Sequence, residues 1–352
     1  MHLSQGFGFQ TYHAKIAKVI NLSVILLPTS VYLSNRLGKD VYNHWNIGVV
    51  IPARNEEDFI SGVLQTIPTF VDNVIVVDDG SEDSTADICK QFLNSRYKLS
   101  IIQNHGNGVG SAIDRGHQEL LDISDKPFIS VVMAGDGQMD PDDMENLIQP
   151  IIQEKADYSK GNRFIHQEGT GKMPLIRKIA SIILSFFTTL ASGLRISDPQ
   201  CGYTATSFKI IETWNWEKSW KGYGYPNYWI INLTKNSWRI NEVPVKSIYG
   251  SEKSSINNLS FFVKVGFMMF VQHHRRVFSK LLSRNVNPHT ILAFVAYMIG
   301  WIAIIPNIST DLEREFIERG LPTIILIFVA WSCAHILDRL SVKVSEELKH
   351  NA

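Results

Sequence analysis

Short apolar runs alternate with polar turns and amphipathic segments over the first half of the chain. The runs have the length of buried strands and lie at residues 47–51, 74–77, 99–102 and 128–133. The segments between them repeat apolar residues at helical spacing, as Ile60, Val63, Leu64 and Ile67 do after the first run. Buried strands that alternate with helices predict an α/β domain whose mostly parallel sheet is covered on both faces.

Polar residues stand where the first two predicted strands end. The first is followed by PARNE, residues 52–56, and the second runs into DDGS, residues 78–81. Ligands of parallel sheets bind at the carboxyl ends of the strands, so we expect both motifs to line one crevice. Each is weak alone, because DDGS also suits a tight turn and Asn55 also suits a helix cap.

Two further loops carry candidate binding groups. Residues 104–110, NHGNGVG, lead into a helix predicted over 110–121, and amides at such a helix start can approach phosphate. The fourth strand ends in AGDGQ, residues 134–138, which offers oxygen ligands from Asp136 and Gln138. Mg²⁺ and Mn²⁺ prefer such ligands and take the remainder from phosphate and water. A plain strand-ending turn is the alternative.

Taken together, these motifs resemble the signature of family 2 glycosyltransferases, P-x-x-N-E followed about 25 residues later by V-D-D-G-S. The resemblance implies a GT-A type domain that binds a nucleotide-sugar. It places the nucleotide-sugar contacts on Pro52, Ala53, Asn55, Glu56, Asp79, Ser81 and Gly108. It also implies Mg²⁺ or Mn²⁺ held by Asp136 and Gln138, with Ala134 standing where the usual D-x-D-x-Q has its first aspartate.

Motifs after residue 160 narrow the resemblance to the polyprenyl-phosphate group that includes the dolichol-phosphate mannose synthases. GNRF at 161–164, RKxxS at 177–181 and DPQCGY at 198–203 are similar to its G-S-R-Y, R-K-x-x-S and D-P-x-S-G-F elements, and GSEKS at 250–254 is similar to its G-E-S-K loop. The resemblance implies that Arg163, Arg177 and Ser181 hold the acceptor phosphate while Lys253 faces the donor diphosphate. These four and Asp136 are the predicted catalytic residues. For Arg177, a merely solvated helix surface is the alternative.

The absence of a candidate base favours a phosphate acceptor. A sugar hydroxyl needs a general base, whereas a phosphate monoester is ionised near neutral pH and attacks once positioned. The aromatic stretch 223–229 contains no acidic residue, and the Q-x-x-R-W motif of processive polysaccharide synthases is missing. We therefore predict inverting transfer of a single hexose from a GDP-mannose or UDP-glucose type donor to a polyprenyl (dolichyl) phosphate. The product would be a lipid-linked sugar donor for glycosylation.

Three other functions stay open. An enzyme of the same fold could use a hydroxyl acceptor in glycolipid or polysaccharide synthesis. Ala134 in the metal motif supports a non-catalytic nucleotide-sugar-binding membrane protein. A membrane scaffold is weakened by the number of polar motifs at strand ends.

The membrane prediction comes from two late stretches, 289–307 and 321–337, that contain no Lys, Arg, Asp or Glu. Each is near the ~17 to 25 residues that cross a bilayer. Acidic residues dominate the linker between them and basic residues flank the pair outside. By the positive-inside rule this predicts an integral membrane protein whose transmembrane hairpin has both ends, and hence the catalytic domain, in the cytoplasm. A buried helical hairpin of a soluble domain is the alternative.

Three other segments allow more than one interpretation. Residues 19–33 favour an interfacial or buried N-terminal helix over a span or a cleaved signal peptide. Residues 179–191 suit either a core helix or one lying in the membrane surface. The aromatic residues crowded into 214–229 fit a membrane boundary, an aromatic core or a sugar-stacking platform.

Composition adds two exclusions and completes the expected organisation. With 34 basic and 34 acidic residues the chain lacks the broad basic field of nucleic-acid binders, and three distant cysteines indicate a reducing compartment. The predicted partners are a nucleotide-sugar, a polyprenyl phosphate and the lipid bilayer, with no nucleic acid and no obligatory protein partner. The predicted units are an N-terminal apolar segment (1–45), a GT-A domain (46–255), an amphipathic connector (256–288), a transmembrane hairpin (289–338) and a cytoplasmic tail (339–352).

Overall fold

A seven-stranded sheet is the main β structure of the computed structural model, which describes residues 42, 44–166, 173–248, 258–283, 286–304 and 320–351. Its strands are β1 (Asn46–Ala53), β2 (Asn73–Asp78), β3 (Lys98–Gln103), β4 (Phe128–Val132), β5 (Tyr158–Asn162), β6 (Thr204–Ser207) and β7 (Ile240–Pro244). The chain forms two compact units, 1–45 and 46–352, and all these strands belong to the second. The predicted segment 19–33 and the loop with Lys253 lie outside the described residues.

The sheet has the order β3-β2-β1-β4-β6-β5-β7 and is mostly parallel, as the alternating pattern predicts. The strands β3, β2, β1 and β4 run parallel, while β6 lies antiparallel to β4 and β5, and β7 is parallel to β5. The register of β1, β2 and β3 aligns their carboxyl ends, because Ala53 lies beside Asp78 and Asp78 lies beside Gln103. The first three strands therefore end at one edge.

Ten helices of the described chain cover the sheet or follow it. They are α1 (Ile60–Thr66), α2 (Thr85–Lys90), α3 (Val109–Ile123), α4 (Met144–Ile152), α5 (Leu175–Ser192), α6 (Phe208–Thr213), α7 (Tyr225–Lys235), α8 (Asn258–Leu281), α9 (Pro288–Ile304) and α10 (Leu321–His350). The prediction of Asn55 as a helix cap is wrong, because α1 starts at Ile60, after a turn that places Asn55 at φ 56°.

The aromatic stretch between residues 214 and 229 forms a core. The rings of Trp214 and Trp229 stack with centroids 4.0 Å apart, and His117 of α3 packs against Trp229 at 5.3 Å. Tyr228 joins the same buried cluster, whereas Tyr223 is exposed. Of the three interpretations of this stretch, packing around α7 explains most of its rings.

Helices α9 and α10 pack as an antiparallel pair. Asn287, just before α9, donates its side-chain amide to Ser345 Oγ at 3.1 Å, and a Cβ added at Gly300 would lie 2.3 Å from Trp331 Nε1. The start of α9 therefore lies beside the C-terminal part of α10, and a later part of α9 lies beside an earlier part of α10. The two helices are antiparallel, as in a hairpin. Gly300 permits close approach because it has no side chain.

Helices α5, α9 and α10 expose long apolar faces. Within the described chain, Leu175–Ser192 and Pro322–His350 are long and apolar enough to cross a membrane, and Pro288–Ile304 is apolar but shorter. On α9 and α10 the exposed set includes Ile291, Leu292, Val295, Ile302, Ile325, Phe328, Val329 and Ile336. Water disfavours a continuous surface of this kind, and a lipid environment accommodates it.

Helix α10 does not end at the predicted boundary between residues 338 and 339. It continues to His350, and its last turn reaches the sheet domain. Lys349 Nζ donates to Asn236 O at 2.9 Å and His350 Nε2 lies 3.1 Å from Asp157 Oδ2. Most of the predicted tail is thus a helical extension of the hairpin that contacts the sheet domain.

Candidate active site

The two motifs predicted to bind the nucleotide-sugar are joined to each other by hydrogen bonds. Asn55 N donates to Ser81 Oγ at 3.0 Å, and Glu82 N donates to Asn55 Oδ1 at 2.8 Å. Glu56 N donates to Thr85 Oγ1 at 2.8 Å. Asparagine tolerates the left-handed backbone of this turn better than most residues. The structure therefore places 52–56 and 78–81 side by side at one edge of the sheet, as the sequence predicts, and the crevice itself stays a prediction.

Asp78 at the end of β2 and Asp79 just after it have different surroundings, although both are buried. Asp78 accepts from the Ser81 hydroxyl at 2.6 Å and so fixes the turn. Asp79 accepts from Asn104 Nδ2 at 2.6 Å and from Gly108 N at 3.0 Å. Asp79 thus ties the second strand to the glycine loop, while its predicted contact with the nucleotide stays a prediction.

The glycine loop at the start of α3 packs beneath the segment that precedes α7. A Cβ at Gly108 would lie 2.7 Å from Lys221 O, and one at Gly110 would lie 2.2 Å from Trp220 O. Ser111 N donates to Lys221 O at 3.0 Å. Gly108 N donates to Asp79 and Ser111 N to Lys221 O, and both glycines lie against the 220–221 backbone, so the structure gives the loop a packing role. Direct contact of Gly108 with a nucleotide-sugar stays a prediction.

The AGDGQ turn lies against the end of β1. Gly135 N donates to Pro52 O at 3.2 Å, and Gln138 N donates to Asp136 Oδ1 at 3.0 Å across Gly137, whose φ is 72°. Asp136 is partly exposed at this corner. The two predicted metal ligands therefore stand next to the predicted nucleotide-sugar residues.

A bidentate ion pair fixes Arg163 at the end of β5. Its Nε and Nη2 donate to the Asp198 carboxylate at 2.7 and 2.9 Å, and its backbone N donates to Asp198 Oδ2 at 3.0 Å. Glu242 of β7 accepts in turn from the backbone amides of Ser197 and Asp198 at 3.0 and 3.1 Å. The guanidinium plane of Arg163 is thus set by two successive carboxylates.

Lys160, two residues before the end of β5, is fully buried beneath this network and donates to the carbonyl oxygen of Cys201. Burial lowers the pKa of Lys160, against the attraction of nearby Asp198 and Glu242. Burial also opposes ionisation of Asp198, but hydrogen bonds and charge from Arg163 outweigh it and hold the pKa of Asp198 below its ordinary value. Asp198 is therefore an ionised partner of Arg163 and unsuited to act as a base.

Helix α5 combines the predicted phosphate-binding residues with an apolar surface. Arg177 is exposed, and Ser181, one turn later, is buried on the side that faces the domain. The exposed apolar side chains of the helix are Leu175, Ile176, Ile179, Ile182, Ile183, Phe186 and Phe187. A cationic residue therefore begins a helix whose outer face is apolar over most of its length.

The Asp198 loop is fastened to α5. Ser185 Oγ donates to Ile196 O at 2.5 Å and Ile196 N donates to Thr189 Oγ1 at 3.3 Å. The segment that holds Arg163 thus continues directly into contacts with the helix that carries Arg177. Lys253, the remaining predicted catalytic residue, lies outside the described residues.

The fold and these strand-end motifs agree with the comparisons to known proteins. Residues 48–214 match the model of the family described as glycosyl transferase family 2. A UDP-N-acetylglucosamine–dolichyl-phosphate N-acetylglucosaminyltransferase from Methanococcus voltae is 33% identical over 64% of this chain and 93% of its own length. The chain therefore belongs to the family 2 glycosyltransferases, and it is a sugar-transferring enzyme with the mostly parallel α/β domain expected of them.

Two further similar proteins have lower sequence identity to this chain. A dolichol-phosphate mannosyltransferase from Pyrococcus furiosus is 27% identical over 47% of each chain. Among solved structures, glucosyl-3-phosphoglycerate synthase from Mycobacterium tuberculosis superposes with a TM-score of 0.48 at 18% identity, over 68% of this chain and 82% of the other.

Sequence reasoning missed two members of the Arg163 network, Lys160 and Glu242. Each had a signal. Lys160 stands just before the GNRF motif, and Glu242 lies in the middle of β7, whose sequence INEVP alternates apolar and polar residues only in part. A lysine beside a family motif is not distinguishable by sequence from a solvated one, so its burial became evident only from the fold.

Proposed function

We propose that this enzyme transfers a single sugar from a nucleotide-sugar to a polyprenyl phosphate of the dolichyl type, with inversion at the anomeric carbon. The observation that carries the proposal is helix α5, on which exposed Arg177 and an apolar outer face occur together. A lipid phosphate presents this same combination of charge and hydrocarbon. The acceptor named for the Methanococcus voltae relative supports the same class.

The acid–base chemistry of the described site suits a phosphate acceptor. Asp198 is committed to Arg163, and Glu242 to two backbone amides. A hydroxyl acceptor would need one of them, or another carboxylate, to remove its proton. An ionised phosphate oxygen needs only orientation and can attack the anomeric carbon in line as the nucleotide diphosphate leaves.

The charges divide the roles of the arginines. Arg163 is already neutralised by Asp198 and has only 13% of its side chain exposed, so we assign it to orienting the acceptor. Arg177, which is exposed, would supply the attraction for the acceptor phosphate. Ser181 would add a hydroxyl one turn along α5.

The oxygen ligands offered by Asp136 and Gln138 fit Mg²⁺ or Mn²⁺ that binds together with the nucleotide-sugar. In the described part of the chain no group of three or more His, Cys, Asp or Glu is arranged to hold a metal. One carboxylate and one amide oxygen, from Asp136 and Gln138, suit a hard cation that takes its other ligands from diphosphate and water. When bound, such an ion neutralises charge on the departing diphosphate.

We further propose that the α9–α10 hairpin anchors the enzyme, that α5 lies in the cytoplasmic membrane surface, and that the catalytic domain faces the cytoplasm. The exposed apolar faces support the anchor, and the flanking basic residues support its orientation. A donor from the cytoplasm would then meet an acceptor phosphate at the bilayer surface.

The experiment is transfer of radiolabelled sugar to dolichyl or undecaprenyl phosphate from UDP-N-acetylglucosamine, UDP-glucose and GDP-mannose, with Mg²⁺ or Mn²⁺. Wild type is compared with Asp136→Ala and with Asp142→Ala, which removes an exposed carboxylate from the next turn. We expect an acid-labile labelled lipid from wild type and Asp142→Ala, and a loss of about 100-fold or more in Asp136→Ala.

Nucleotide-sugar binding without lipid product from any donor would contradict the proposal. Label appearing in a hydroxyl-bearing glycolipid would replace it with the hydroxyl-acceptor function. Equal activity of the two aspartate variants would remove Asp136 from the site.

A further inference from the structure

A buried arginine joins the predicted acceptor helix to the C-terminal hairpin. Arg276 of α8 has no exposed surface. Its Nη1 and Nη2 donate to Asp338 of α10 at 3.0 and 2.6 Å, and its Nε donates to Ala191 O at 2.7 Å. The guanidinium of Arg276 on α8 therefore contacts two other helices, α10 through Asp338 and the last turn of α5 through Ala191.

The chemistry of this junction is specific to arginine. The last carbonyls of a helix lack partners within it and attract cations. Only a planar group with several fixed donors can satisfy such a carbonyl and both oxygens of a carboxylate at once. A lysine placed at 276 would keep the charge and lose this fork.

The end of α5 is shaped to fit the ion pair. The helix is capped by Gly193 at φ 71°, and a Cβ there would lie 2.4 Å from Asp338 Oδ2 and 3.1 Å from Arg276 Nη1. The glycine thus serves both the left-handed cap and the close approach of α10. Lys280 adds a second cation 3.6 Å from the same carboxylate.

A buried ion pair is weak evidence for stability, because apolar residues of similar volume often replace one without loss. Directional contacts, in contrast, fix the relative position of the helices that they join. Arg177 lies 14 residues before Ala191 on the same helix, which is about 21 Å along a continuous α-helix. A shift at the junction would move the phosphate-binding end as well.

We propose that Arg276 and Asp338 are positioning residues for acceptor delivery. By holding the end of α5 on the hairpin, they set the height and rotation at which Arg177 meets a phosphate embedded in the bilayer. This inference rests on the proposed function. It also requires that an acceptor free to diffuse in water depends on the junction far less than one held in a membrane.

The test uses the full chain in lipid nanodiscs with two acceptors, dolichyl phosphate in the disc and a short water-soluble prenyl phosphate. The variants are the apolar pair Arg276→Met with Asp338→Leu, and Arg276→Lys. The control is Arg275→Met, which removes an exposed neighbouring arginine. Melting temperature is recorded for each, and KM and kcat are measured separately.

We expect the apolar pair to lose about ten- to a hundredfold in kcat/KM on the embedded acceptor, mainly through KM, and to stay within about twofold on the soluble one. Arg276→Lys should likewise lose activity on the embedded acceptor and keep it on the soluble one. If the apolar pair does not fold, Arg276→Lys alone tests the inference. Arg275→Met should match wild type.

Wild-type values on both acceptors in a folded variant would overturn the inference, as would equal losses on both, which indicate general damage to the site. A wild-type enzyme that transfers sugar to neither acceptor would contradict the proposed function itself and remove the basis of the inference.

Discussion

At the scale of single residues, the acceptor side of the site depends on matched charges. Two carboxylates, Asp198 and Glu242, and two cations, Arg163 and Lys160, occupy a largely buried region. Buried charges persist when each has a partner and enough hydrogen bonds. Removing one member should therefore disturb the others, even where that member never touches a substrate.

Glu242→Gln tests this dependence. The variant keeps the shape but offers one acceptor oxygen in place of the two that Ser197 and Asp198 now use. Hydrogen bonds to charged groups are worth about 1.5 to 3 kcal/mol, so we expect a loss of about 1 to 2 kcal/mol in the free energy of unfolding. The acceptor KM should rise while the donor KM is unchanged, since Glu242 acts through Asp198 and Arg163.

Glu212→Gln is the matched control for this change. Glu212 pairs with Lys126 at 2.5 Å, but both side chains are more than 40% exposed. Pairs of this kind contribute about 0 to 1 kcal/mol. Thermal unfolding and steady-state kinetics check both variants, and similar effects from the two would contradict a positioning role for Glu242.

At the scale of elements, helix α3 carries two buried titratable groups, His117 and Asp114, whose pKa values are shifted by burial. The two shifts have opposite effects on how the free energy of unfolding changes with pH. Burial lowers the pKa of His117 to about 3, although Ser130 Oγ lies 2.8 Å from its ring nitrogen. Burial raises the pKa of Asp114 to about 6, against the lowering effects of Lys221 and Ser219.

The signs follow from which state binds the proton. Unfolded His117 titrates near 6.5, so its contribution is present above that pH and is lost as the pH falls toward 3. Asp114 titrates near 3.8 when unfolded, so its contribution is present at low pH and is lost as the pH rises through about 6. Between about pH 4.5 and pH 7.5 the pH-dependent contributions of His117 and Asp114 to the free energy of unfolding have opposite signs and largely cancel.

Single substitutions should expose the cancellation. Relative to wild type, His117→Gln should gain about 2 to 3 kcal/mol between pH 7.5 and pH 4.5, and Asp114→Asn should lose about 2 kcal/mol over the same interval. Melting temperatures at both pH values measure these changes, and the contributions of all other groups cancel in the differences. Parallel shifts in the two variants would contradict the assignment.

The strands of the sheet differ in how well the sequence predicts them. Strands β1 to β4 can be predicted from sequence because each is a short, largely apolar run, and the motifs of the predicted site follow these runs. Strand β5 reads YSKGN and β6 reads TATS, so neither is apolar enough to be recognised, although both are buried. Their burial depends on partners distant in sequence, which no local pattern contains. For the same reason, the sequence does not assign Lys160 of β5 and Glu242 of β7 to the Arg163 network.

The interpretation of α5 depended on tertiary structure in a different way. Its residues 179–191 carry no charge, which suits either a core helix or one lying in the membrane surface. The structure buries one side, with Leu184 and Thr188, and leaves Ile176, Ile182 and Phe186 exposed. Which side packs depends on α7 and α8, and their contacts cannot be read from residues 175–192 alone.

At the scale of the whole molecule, α10 constrains how the enzyme sits in a membrane. Its apolar part belongs to the hairpin, and its last turn contacts the catalytic domain through Lys349 and His350. If the hairpin spans the bilayer as proposed, the C-terminal end of α10 and the catalytic domain lie on the same side of it. The acidic linker between α9 and α10 should lie on the other side.

Cysteine labelling can measure this arrangement, because Cys89 and Cys201 are buried and only Cys333, on α10, is exposed. In a Cys333→Ser background we expect Lys343→Cys to react with a membrane-impermeant maleimide from the cytoplasmic side of sealed vesicles. Glu315→Cys in the linker should react from the opposite side. Detergent should make both accessible and so controls for reactivity. Labelling of both positions from one side of intact vesicles would exclude a transmembrane hairpin, and α9 and α10 would then have to lie along the membrane surface with α5.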